Sequence, residues 1–142
     1  METGKYAARL MVLVLLIISV GCKGGRDELP AGHQVDGKVS PDGLSRAFVW
    51  VPDLAGLGAT VSQPYQVWLE SSNRKGYRAL VLEADKTDGV RLKWRGANEL
   101  EICYGPSQIS SFRNFFVFAE QSVPVLYKVE IFLRRVNQLN DC

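Results

Sequence analysis

The sequence predicts an all-β protein, a small antiparallel sheet folded as a sandwich or open barrel of about seven strands. Short runs rich in Val, Leu, Phe, Trp and Tyr alternate apolar with polar side chains at period two. Clusters of Gly, Pro, Asp and Asn break these runs every eight to twelve residues. Strand and helix patterns do not alternate, which excludes a doubly wound α/β fold. The 142 residues are the length of one domain, and 46% apolar against 23% charged is ordinary for a globular chain.

The strands follow in order. Ser40-Pro41-Asp42-Gly43 is a turn: Pro presets φ, Asp bonds back to the backbone and Gly accepts a positive φ. Arg46 to Val51 is a β-rich run, stopped by Pro52, and Leu54 to Thr60 is a Gly-rich loop. In Tyr65 to Glu70, Tyr65, Val67 and Leu69 share one face, opposite Gln66, Trp68 and Glu70. Ser71 to Gly76 is a polar turn, and Ala79 to Ala84 a further strand closed by Asp85 to Gly89. The hairpin is the sharpest pattern. Val90, Leu92 and Trp94 alternate with Arg91 and Lys93, Arg95 to Asn98 bend the chain, and Leu100, Ile102 and Tyr104 alternate with Glu99, Glu101 and Cys103. Its basic arm is expected to face its acidic arm across a solvated surface. Phe115 to Ala119 is an apolar strand, and Val125 to Leu133 reads as strand, with Arg134 onward either helical or frayed.

Residues 1–21 form an address. Lys5 and Arg9 precede nine apolar residues, Leu10 to Ile18, and small residues follow at Ser19 and Gly21. That is a secretory signal peptide; the apolar run is too short to span ~30 Å of hydrocarbon. Residues 22–39 lack apolar periodicity and are expected to be a flexible tether, leaving 40–142 as a single β domain.

Ser19-Val20-Gly21-Cys22 resembles the lipobox of bacterial lipoproteins, with Ser19 where Leu is usual. The resemblance implies that Cys22 carries a diacylglycerol and is the first mature residue. Lys23, in place of Asp, resembles the outer-membrane class, so the implied location is the outer membrane facing the periplasm. The implied partners are the membrane, through Cys22, and an envelope protein. Cys103 and Cys142 are then an even pair in an oxidising compartment, expected to bridge. Residues 40–133 also resemble a group of small uncharacterised bacterial proteins that share Ser-Pro-Asp-Gly before a strand, Gly-Ala-Thr before a Val-x-Leu strand, and a Trp…Leu-x-Ile-x-Tyr hairpin. Here these are Ser40 to Gly43, Gly58 to Thr60, Val67 to Leu69, Trp94 and Leu100 to Tyr104. Leu57 stands where that group has a Cys. The likeness brings no activity.

The search for chemistry returns no catalytic set, metal site or cofactor motif. Gly37-Lys38-Val39 lacks the hydroxyl of a P-loop. Gly43-Leu44-Ser45-Arg46-Ala47 misses the second Gly of a nucleophile elbow, and the one histidine, His33, lies in the expected tether. Asp85, Asp88 and Gly89 do not have calcium-loop spacing. A net charge of +2 is too small for a nucleic-acid binder. Trp68, an aromatic ring on a polar face, is a candidate binding anchor or the cover of a second small core. The expectation is a non-enzymatic module that contacts or holds another envelope component. The alternative is a periplasmic inhibitor or immunity-type protein that caps an enzyme.

Overall fold

The computed structural model describes residues 27–54, 62–74, 76–85, 88–119 and 126–142; the signal-peptide and Cys22 readings and the Gly58-Ala59-Thr60 loop lie outside them. Among the described residues there are nine strands: β1 (Gly32–Val39), β2 (Ser45–Pro52), β3 (Tyr65–Ser71), β4 (Arg78–Asp85), β5 (Val90–Gly96), β6 (Glu99–Tyr104), β7 (Gln108–Phe112), β8 (Phe115–Ala119) and β9 (Leu126–Arg135). They form two sheets, ordered β1-β2-β3-β4-β7 and β5-β6-β9-β8, packed face to face as an all-β sandwich.

Inward side chains make one core. Ala47, Val49, Val67, Leu69, Val81 and Leu82 from the first sheet meet Leu92, Leu100, Ile102, Phe118, Val129 and Ile131 from the second. Alternation of side chains along each strand set this facing, except in β4, where a bulge opposite Val67 and Trp68 lets the consecutive Val81 and Leu82 both enter the core.

Three expectations are corrected. The tether assigned to 22–39 ends early, because 32–39 is an edge strand paired antiparallel to β2, from Gly32 opposite Pro52 to Val39 opposite Arg46. Its side chains stay mostly in solvent, so backbone hydrogen bonds hold it and no apolar stripe announces it. A Cβ on Gly32 would lie 2.4 Å from the Val51 carbonyl oxygen, so this approach requires glycine. Residues 108–112 form a second unannounced strand, β7, mostly exposed and joined to β4. The second sheet is also not purely antiparallel: β6 and β9 run parallel, Cys103 level with Arg134.

The segment before β1 is fastened as well. The Asp27 carboxylate accepts the Leu80 N–H at 3.3 Å and lies 3.6 Å from the Arg113 guanidinium. Asp53 N–H then donates to Ala31. Residues 27–31 therefore run from β4 across the outer side of the first sheet to β1.

The Ser40 to Gly43 turn closes with Gly43 N–H donating to the Ser40 carbonyl and Gly43 at φ +76°. It also staples the two sheets. Asp42 accepts hydrogen bonds from the Ser40 hydroxyl, the Leu44 N–H and the Tyr127 hydroxyl of β9, and that hydroxyl lies 3.0 Å from the Ala97 carbonyl. Desolvation raises the Asp42 carboxyl, but these bonds together outweigh it and hold the group below the usual carboxylate range. Burial, together with the hydrogen bond to Asp42 and its charge, pushes the Tyr127 hydroxyl well above the usual tyrosine range.

Candidate functional site

Trp68 occupies the polar face of β3, as its position in the strand requires, but it is only 3% exposed. Its indole N–H donates to Gln66, Gln66 donates to Glu83, and Glu83 accepts from the Ser110 hydroxyl of β7. Phe48, opposite Trp68 on β2, is 2% exposed. The binding-anchor reading of Trp68 is therefore corrected: the ring belongs to a buried layer on the outer side of the first sheet and cannot be offered to a partner.

The hairpin charges also rearrange. Arg95 is the extra residue of a β-bulge between Trp94 and Gly96, and the bulge turns its guanidinium onto Glu101. Glu101 is 2% exposed, so its part of the face is not solvated as expected. Lys93 lies opposite Glu101, but it donates instead to the Cys142 carbonyl at 3.1 Å. Arg91 faces Cys103, not a carboxylate. Ser45 and His33 are not brought together: His33 is level with Val51, six residues along β2 from Ser45, or about 20 Å.

What the structure assembles instead are two different flanks. On one, edge strand β1 of the first sheet lies against edge strand β5 of the second. The Trp94 indole N–H donates to the Lys38 carbonyl at 3.2 Å and joins them. The chain end packs here. After β9, a single 3-10 turn (Leu139–Asp141) brings Leu139 beside Gly89, and Cys142 is disulfide-bonded to Cys103 with Cα atoms 5.9 Å apart. Two adjoining hollows, of about 390 and 330 Å³, share Lys38, Arg91 and Leu139 as lining.

On the other flank, the chain crosses from β7 to β8 through Arg113 and Asn114. A hollow of about 450 Å³ opens here, lined by Tyr77, Phe112, Phe115, Phe116 and Val117. Phe116 is buried, whereas Phe112 is 39% and Phe115 52% exposed. The Tyr77 hydroxyl caps the outward Val117 carbonyl of edge strand β8 at 3.3 Å. Lys128 lies over the Phe115 ring and Arg95 over the neighbouring Phe132, itself 40% exposed. Sequence reading missed this site. Its signal was the dense aromatic spacing of Phe112, Phe115, Phe116 and Phe118, but without β7 nothing placed Phe112 beside Phe115.

No protein-family model matches the chain, and neither a curated protein nor a solved structure matches it significantly.

Proposed function

We propose that this chain is a lipid-anchored protein of the bacterial envelope, a non-enzymatic β module that holds another envelope protein through the aromatic hollow between β7 and β8. The observation that carries the docking role is the pair of exposed rings, Phe112 and Phe115, standing around a hollow whose floor is the buried Phe116. Exposing aromatic surface costs free energy, and pocketed aromatic clusters are where interface energy concentrates. Arg113, beside the rings, adds a rim able to select a partner by charge.

The anchor rests on Leu10 to Ile18 followed by Ser19-Val20-Gly21-Cys22. It gains a geometric consequence from Asp27. Asp27 follows Cys22 by five positions, a reach of at most about 17 Å. With its lipid inserted, the β4–β7 corner is held near the membrane, not far out on a long tether.

The test is in-cell photo-crosslinking from position 115 of the full-length protein, beside fatty-acid labelling of wild type and Cys22→Ala. Crosslinks to one envelope protein that vanish in Phe112→Ser support the docking role, and label confined to wild type supports the anchor. Diffuse crosslinking that ignores Phe112→Ser removes the first, and label retained by Cys22→Ala removes the second. The enzyme-capping reading is favoured by one observation, that Phe112 to Phe115 are four consecutive exposed residues. A foreign hydrolase among the crosslinked products would select it.

A further inference from the structure

We propose that the groove between β1, β5 and the 3-10 turn binds a small oligoanion, a ligand with phosphate or sulfate groups at two points along its length. Five cations of the described residues are matched to acids: Arg46 and Arg78 to Glu70, Arg95 to Glu101, Arg113 to Asp27, Lys128 to Glu130. Among the described residues, Lys38, Arg74, Arg91, Arg134 and Arg135 have no side-chain carboxylate within ion-pair distance; of these, Lys38 and Arg91 line both adjoining hollows, and Lys93, held to the Cys142 main-chain oxygen, lines one of them. Unmatched positive charge inside a concavity concentrates the field where an anion would sit.

The lining is arranged for two anionic groups. Arg91 and Lys93 are two residues apart on one face of β5, a step of about 6.8 Å, and Lys38 reaches both hollows from the opposite strand. Arg91 offers a planar fork suited to phosphate or sulfate oxygens. Lys93 spends one donor on the Cys142 carbonyl and keeps two. Arg134 continues the row, level with Cys103 and hence with Arg91. Asp36, the acidic side chain in the lining, has its Oδ1 on the Gly37 N–H at 2.7 Å. Leu139 and Val90 supply an apolar wall, so the anionic groups can be carried on a carbon framework.

A free ligand fits better than a lipid surface, because the groove is concave and lies on the β1/β5 flank, at the opposite edge of the first sheet from the β4–β7 edge where residue 27 is fastened. The inference stands independently of the aromatic hollow, and only the choice of a free ligand over a lipid surface rests on the lipid anchor.

The test is calorimetric titration of the full-length chain in detergent micelles with inorganic tripolyphosphate. The expected result is saturable binding, at least tenfold tighter than orthophosphate, steeply weakened by salt and at least tenfold weaker in the double variant K38S/R91S. Both side chains are exposed, and an unchanged thermal midpoint verifies that the variant is folded. Absence of saturable binding, or equal binding by the variant, overturns the proposal. Binding that depends on Lys38 and Arg91 but occurs only on phosphatidylglycerol vesicles also overturns it, since the ligand would then be the membrane surface.

Discussion

The two flanks of the sandwich solve one problem in opposite ways. Where two sheets meet at their edges, backbone and core must be shielded from water. The β1/β5 flank closes with specific bonds: an indole across the gap, a 3-10 turn over it and a disulfide behind it. The β7/β8 flank closes with bulk, and leaves two phenylalanine rings in solvent. Among the described residues, the first leaves no large apolar ring in solvent. The second keeps apolar surface for something else.

Breaking the disulfide tests the closed flank hardest. The bridge spans a sequence separation of 39, and chain-entropy arguments assign it about 4 kcal/mol. Denaturant unfolding of Cys142→Ser, or of reduced wild type, is expected to show a loss of about 3–4 kcal/mol. A loss below about 1 kcal/mol would mean that the chain end does little to hold this flank.

Trp94 comes next. Trp94→Ala should cost about 2–3 kcal/mol, less than a fully buried Trp because the residue is partly exposed. Trp94→Phe keeps most of the packing, loses the bond to the Lys38 carbonyl and should cost about 1 kcal/mol. Equal costs for the two variants would assign the seal to the hydrogen bond alone.

The Asp42–Tyr127 staple gives a smaller, pH-dependent effect. The Asp42 carboxyl is held low in the folded state, so its contribution is present above the unfolded value of 3.8 and is lost as pH falls through the lower folded value. Tyr127 is raised, so its contribution is complete below pH 10 and is lost as pH climbs from there through the folded value. Thermal midpoints of Asp42→Asn should therefore fall less than those of wild type at both extremes. Parallel curves would remove the staple.

The open flank should barely respond. Phe115→Ser and Phe112→Ser are expected to change stability by no more than about 0.5 kcal/mol while abolishing partner capture. A loss above about 2 kcal/mol would make the rings part of the core and close the comparison.

The parts of the fold legible in the sequence are those whose side chains carry it. Val67 and Leu69, or Leu100 and Ile102, alternate because one face is buried, and a one-residue slip would expose them. Strand β1 was illegible for the same physical reason: Gly32, Gly37 and Lys38 are held by the ladder to β2, and a backbone ladder leaves no mark in side-chain pattern. The site was harder still. Trp68 looked available because Gln66 and Glu70 flank it, yet Gln66 is its hydrogen-bond partner and part of a buried polar chain. The exposed pair, Phe112 and Phe115, straddles the turn from one sheet to the other, a contact that only topology creates.

The parallel pairing of β9 with β6 also decides where the chain end is tied. Cys142 follows β9 by only seven residues, and its partner lies on β6, so the disulfide closes a covalent ring through the strand and its parallel neighbour. Cutting that ring frees the chain end and the 3-10 turn together, while the β6–β9 ladder itself stays intact.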